Sequence, residues 1–279
     1  DAPKLQNTIM TAYESERLFD EASKERDTLV ELYSENTKWA KANRMNTKAL
    51  REAGKLARAS LYKAAIFYHQ QAIKYTDSND MEKGVVFYTK AAQAYEEYLV
   101  RYPHDKDAYE LTFYLAEAYY YSLNFDKAVV AYMRTRDSKQ GVKYRGEAAL
   151  NAIYAQEKIM DRMVADGELV MKDVFSTERP DVNAEPEPLA APQLIFIDSV
   201  DKFLLKAEEH EMAPAFSYKA ASMKFAYGYF DDAVERFERI IKLYQKHEAA
   251  KFAANLILDY LLAKQDWTKA AAYAARFKE

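Results

Sequence analysis

Between Glu110 and Arg134 the chain spaces small and large apolar residues in a way that a pair of antiparallel helices can use. Leu115, Ala116, Ala118 and Tyr119 recur on a helical period, Phe125 follows in a turn, and Ala128 and Tyr132 resume the period. Alanine at 116 and 128 lets the two helix axes approach the short end of the usual range of roughly 8 to 10 Å. Tyr119, Phe125 and Tyr132 then fill the volume between one hairpin and the next. Asp126 stands where the second helix begins, and its carboxylate can accept from backbone amides left open at that terminus. Only 6 glycines and 7 prolines interrupt 279 residues, 49% of them hydrophobic. Such a chain can bury a sizeable core, and the expected class is all-α.

The same spacing returns downstream. A shift of 105 residues carries Phe125 to Phe230, Asp126 to Asp231, Ala128 to Ala233, Val129 to Val234 and Tyr132 to Phe237. It also carries Leu99 to Leu204, Phe113 to Tyr218 and Tyr120 to Phe225, and Trp267 with Ala270 repeats the aromatic-x-x-Ala turn a third time. Leu115, Ala116, Tyr119, Phe125, Ala128 and Tyr132, in that order, resemble the tetratricopeptide repeat, a helix-turn-helix unit of about 34 residues. Thr112 and Leu123 depart from it, standing where the family favours Trp and Gly. The resemblance is good over residues 105–135 and 213–245 and fair over 81–103, 144–160 and 249–277. It implies a tetratricopeptide-like helical-hairpin solenoid wound as a right-handed superhelix.

Four segments are expected. Residues 1–46 carry one apolar stripe (Leu5, Ile9, Tyr13, Leu18, Phe19, Ala22) that packs on the solenoid or, alternatively, joins a second copy into a homo-oligomer. Residues 47–164 hold tetratricopeptide-like hairpins. There a helical pattern from Thr47 to about Tyr75 ends in a polar turn at 76–80, and a second runs from Met81 to Tyr102, stopped by Pro103. Ser78 and Asn79 fall where the repeat wants Leu and a small residue, so this unit is degenerate or has lengthened helices. Residues 165–193, acidic and holding Pro180, Pro186, Pro188 and Pro192, read as a loop or linker with its extended part from about Ser176. Residues 194–279 hold the C-terminal hairpins.

Little here suggests chemistry. Cysteine is absent, which excludes disulfides and thiolate catalysis. The 4 histidines never fall three to five residues apart, and the glycines are too scattered for a phosphate loop. No catalytic residue, metal ligand or cofactor is therefore expected, and a non-enzymatic role is. With 40 basic and 44 acidic residues well mixed, neither nucleic acid nor an anionic membrane is an expected partner. No apolar run approaches the roughly 18 residues of a membrane span. Because the first residue is Asp1, a leader or flanking region is expected to have preceded it.

Function then has to reside on a surface. The resemblance implies that first helices line a concave groove that takes a peptide or partner protein, and its groove positions here are Glu110, Phe113, Glu117, Tyr120, Tyr121, Arg145, Tyr218 and Phe225. Most of the 23 tyrosines lie between residues 58 and 160, and tyrosine suits interfaces. Phe113 and Glu117 replace the Asn and basic residues with which co-chaperone adaptors of this family clamp a carboxylate, which argues against that role. The Tyr-Leu-x-x-Tyr-Pro run at 98–103 resembles BamD-like and Tol-Pal-associated repeats of bacterial envelopes. That likeness implies a periplasmic scaffold in an envelope assembly or motility complex. A sensory or regulatory repeat domain of a larger cytoplasmic protein and a self-assembling structural component are the alternatives.

Overall fold

Helix-favouring runs broken by short polar turns produce thirteen α-helices among the described residues, 1–174 and 181–276 of the computed structural model. The chain is all-α and built of antiparallel helical hairpins. It divides into two compact units, Asp1–Gly141 and Val142–Glu279.

The first unit holds α1 (Ala2–Ser15), α2 (Phe19–Tyr33), a short α3 (Lys38–Ala42), α4 (Thr47–Asp77), α5 (Met81–Arg101), α6 (Ala108–Tyr121) and α7 (Phe125–Asp137). α1 and α2 form a hairpin that packs on α4. Ala22, Leu29 and Val30 are buried there, and Phe19 meets Phe67 at a ring separation of 4.5 Å. The N-terminal stripe is only partly used in this way. Met10 is buried on α1, whereas Leu5 and Ile9 remain exposed.

One turn recurs through the chain. Asn79, Leu123, Gly228 and Gln265 each adopt a left-handed φ of 58° to 84° and stand two residues before a helix that opens on Met81, Phe125, Phe230 or Trp267. In each case the next amide reaches back to a carbonyl five residues earlier, as from Asn124 to Tyr119 at 2.8 Å and from Asp80 to Tyr75 at 2.9 Å. This is the Schellman closure, which satisfies carbonyls that a helix end leaves open. Asp126 lies in the first turn of α7 behind the N-cap Asn124, where no side-chain cap forms. Its charge there complements the helix dipole.

The turn also decides between the two readings of residues 47–102, degenerate or with lengthened helices, in favour of the second. Met81, Gly84 and Tyr88 occupy the places of Phe125, Ala128 and Tyr132, and both helices of that hairpin are lengthened, α4 to 31 residues and α5 to 21. Ser78 and Asn79 are turn, not helix. The helices approach closely at Gly84, where a Cβ would stand 2.7 Å from Thr76 Oγ1 and force that hydroxyl to move.

The second unit holds α8 (Arg145–Ala165), α9 (Ala191–Ala207), α10 (Ala213–Ala226), α11 (Phe230–Leu243), α12 (Glu248–Ala263) and α13 (Trp267–Arg276). The division of the chain falls between 141 and 142, so the Pro-rich segment is internal to this unit and does not link the two. Leu169 and Leu189 enter the core with Ile153, Phe196 and Val200. Tyr227 Oη donates to the Val170 carbonyl at 2.9 Å, and the Glu187 amide donates to the Tyr227 carbonyl at 2.9 Å. Residues 175–180 of that segment, Ser176 and Pro180 among them, lie outside the described residues. The helix that pairs with α8 is α9, reached only after the Pro-rich segment, with Pro192 in the first turn where a missing amide costs nothing.

Candidate partner-binding surface

The groove positions implied by the repeat resemblance divide into core and surface. Phe113 is 4% exposed, its ring 6.1 Å from Tyr132, and Phe225 is 5% exposed against Phe230 at 5.2 Å. Neither lines an open groove, which corrects their assignment. The cause is enclosure. Buried residues occur on α6 at Leu111, Thr112, Phe113, Leu115, Ala116, Ala118 and Tyr119, most of the helix circumference, and position 113 points toward α7. Glu117 accepts the Tyr132 hydroxyl, and Glu110 accepts that of Tyr114 at 2.9 Å. Tyr120 packs edge-on against Phe125 and Tyr121. Tyr121, 45% exposed, stacks on Tyr88 of α5 at 5.0 Å. Arg145 opens α8 half-buried, and Tyr218 lies between Phe237 and Phe252 at 6.0 and 5.9 Å. Of the residues on α6, the structure therefore brings Tyr120 and Tyr121 together at the surface.

Much of the tyrosine surplus is structural. His69 of α4 is ringed by Tyr88, Tyr95 and Tyr114 at 5.5 to 5.8 Å, and its Nδ1 lies 3.0 Å from the Tyr95 hydroxyl. Burial holds the imidazole down at about 4, so it is neutral at physiological pH. The same burial raises the Tyr95 phenol far above its usual value. His210 accepts the Met212 amide at 3.1 Å and meets Phe203 edge-on. Among the described residues no three His, Asp or Glu side chains gather so as to hold a metal ion, and no helix is long and apolar enough to cross a membrane.

The larger open surface lies on the other side of α6. α5 and α7 are each antiparallel to α6, since Tyr121 at its end stacks on Tyr88 in the first half of α5 and Tyr120 meets the first residue of α7. They consequently run in the same direction, and between them is a groove of about 1290 Å³. Leu99 and Leu115 form its floor. Val100 and Val130 form its rims, 81% and 67% exposed, which is unusual for β-branched apolar side chains facing each other across a cleft. One end carries Glu96, Glu97, Asp126 and Lys127, and the other carries Arg101 and Arg134. Lys127 bonds Glu96 at 3.2 Å and lies 5.1 Å from the centre of the Tyr119 ring. Burial and the bond to Glu96 together raise the Tyr119 phenol well above its usual range, so it stays a donor.

The second unit shows how such a cleft is closed. Glu96, Val100, Val130, Ala131 and Arg134 correspond at the 105-residue shift to Asp201, Leu205, Glu235, Arg236 and Arg239. Between α9 and α11 the matching cleft is only about 370 Å³. Arg236 spans it, pairing with both oxygens of Asp201 at 2.6 and 2.8 Å and with Asp232 at 2.8 Å. Those bonds hold the guanidinium charged far beyond any accessible pH. Val130 and Ala131, where the second unit has Glu235 and Arg236, are what leave the first groove open and apolar. This contrast of apolar against charged residues was visible in the aligned sequence, but only the structure shows that those positions face a cleft.

No protein-family profile matches the chain, and no curated protein sequence matches it. Among solved structures, a kinesin-light-chain-like protein of Podosopora anserina with nearly identical TPR-like repeats is similar to it at 13% identity. That likeness covers 75% of this chain and 91% of the other, at a TM-score of 0.40. A second structure from the same source is similar at 13% identity over 75% and 90%, at a TM-score of 0.39.

Proposed function

We propose that the protein is a non-catalytic scaffold that binds a partner protein or peptide, and that the contact surface is the groove between α5 and α7. The observation that carries this reading is the pair Val100 and Val130, left exposed over an apolar floor where the second unit fills the equivalent cleft with an Arg236–Asp201 bridge. An apolar cleft with a charged rim has the make-up of a protein-binding site, with a core that excludes water and an edge that orients. The partly exposed Tyr120–Tyr121 pair on α6 is the rival contact. We place the protein in a bacterial periplasm, within an envelope assembly or motility complex. The absence of cysteine and the Tyr98 to Pro103 run support that placement.

Affinity capture from the source organism with the wild-type chain, Val130→Glu and Tyr121→Ala tests the surface. The expected result is that Val130→Glu loses the captured protein at unchanged helicity while Tyr121→Ala keeps it. The opposite pattern moves the site to α6. Cell fractionation with an antibody to the chain tests the compartment, and recovery with cytoplasmic markers removes the periplasmic placement.

A further inference from the structure

We infer that the first unit holds a second binding site, a cleft between α2 and α5 over Tyr68 of α4, which takes the carboxylate of a small organic acid on the guanidinium of Arg26. The site stands apart from the α5–α7 groove, with which it shares only Gln93 and Glu97 of α5.

Among the described residues two arginines are buried, Arg26 and Arg136, each 7% exposed. Arg136 has a counter-ion in Asp137, whose two carboxylate oxygens accept from its Nε and Nη2 at 2.8 and 2.7 Å. Arg26 has none among the described residues. Its guanidinium makes one hydrogen bond to the protein, Nη2 donating to Ser23 Oγ at 2.6 Å, and lies 5.7 Å from the centre of the Tyr68 ring. A guanidinium carries five N–H donors and keeps its charge on burial. A neutral hydroxyl and an aromatic face meet only part of that demand, because a buried charge is normally both paired and hydrogen-bonded. Arg26 lines a cleft of about 590 Å³, within the size range of small-molecule sites.

The other charges of the cleft select the anion. Asp20 is paired with Lys90 at 3.2 Å and Glu97 with Arg101 at 3.4 Å. Lys24, Arg26 and Lys90 face Asp20, Asp27 and Glu97 around the cleft, so its fixed charges balance. One negative charge therefore completes the buried Arg26, and the three carboxylates repel a second, which disfavours a phosphate dianion. A carboxylate also matches the guanidinium fork, accepting two parallel N–H bonds. The apolar lining, Tyr68 and Ala94, is buried. The rim thus offers none of the exposed apolar surface that the core of a protein–protein contact uses, in contrast to Val100 and Val130, and this favours a small molecule over a partner's side chain.

Trifluoroacetate and para-fluorobenzoate are the probes, followed by fluorine NMR with the full chain. The neutral para-fluorobenzamide is the control and inorganic phosphate the competitor. At least one carboxylate should bind saturably and raise the melting temperature. The benzamide should do neither, and phosphate should displace the bound probe no better than chloride at equal ionic strength. Arg26→Met should weaken binding roughly tenfold to a hundredfold, the worth of one charge-assisted contact. It should also leave the melting temperature of the ligand-free chain unchanged or higher, because it removes a buried charge that the protein does not neutralise. Arg26→Lys keeps the charge without the fork, should weaken binding too, and serves if the Met variant does not fold. Saturable binding of neither carboxylate, binding that survives both substitutions, or equal binding of the benzamide overturns the site. Displacement by phosphate far better than by chloride overturns the choice of anion. An uncharged-terminus peptide with a single Glu that binds more tightly than either probe makes the ligand a partner's side chain and overturns the small-molecule source.

Discussion

Leu123 shows most directly how a single residue's backbone is set by its place in a hairpin. It holds φ at 64°, where the corresponding Gly228 holds 84°, and its side chain is 61% exposed. A branched residue in the left-handed region is strained by roughly 1 to 2 kcal/mol, part of which glycine returns as unfolded-chain entropy. Leu123→Gly should therefore raise stability by up to about 1 kcal/mol in urea melts. Gly228→Ala should lower it by roughly 1 to 2 kcal/mol, because a Cβ there also lies 3.2 Å from Pro186 Cα. His69 supplies the pH dependence. Its folded value of about 4 lies below the ordinary 6.5, because burial among Tyr88, Tyr95 and Tyr114 disfavours the charged form. Between those two values the unfolded chain takes up a proton that the folded chain refuses. The contribution is thus fully present above pH 6.5 and is lost as the pH falls toward 4, on the order of 3 kcal/mol. His69→Gln should flatten that part of the stability profile.

At the scale of elements, the recurring unit is a closing turn and the close helix contact behind it. Ala128 is fully buried between α6 and α7, so Ala128→Leu should overpack that hairpin by roughly 1 to 3 kcal/mol. Calorimetry would check this, and an unchanged melting temperature would place the contact elsewhere. Gly84 takes the same role in the α4–α5 hairpin, where even a methyl group would strike Thr76. That hairpin was less legible because its helices, of 31 and 21 residues, outrun a repeat of about 34 residues in total. The pairing of α8 with α9 was hidden for a different reason. The Pro-rich segment separates them, and Leu169 and Leu189 give no periodic sign that they return to the core.

At the scale of the whole molecule, each compact unit has its own buried aromatic and aliphatic core, Tyr95, Tyr98 and Tyr132 in the first and Phe196, Phe203 and Phe237 in the second. Fragments 1–141 and 142–279 should each fold cooperatively when expressed alone. Circular dichroism melts check this, and a fragment without a melting transition would refute the division. The hairpin architecture was legible in the sequence because packing at 3.6-residue periodicity is a local rule, written in Ala116, Ala128, Tyr119 and Tyr132 and again in Ala233 and Phe237. The surface was not legible to the same degree. Phe113 and Phe225 obey the helical period as well as Tyr121 does, and period alone cannot say whether a neighbouring helix covers them. Val130 and Ala131 against Glu235 and Arg236 likewise read as ordinary variation until α5 and α9 are set beside them. By itself the sequence determined where helices run and which small residues let them touch, because those depend on near neighbours. Which faces stay open was decided only by the tertiary structure, because exposure depends on residues far away in the chain.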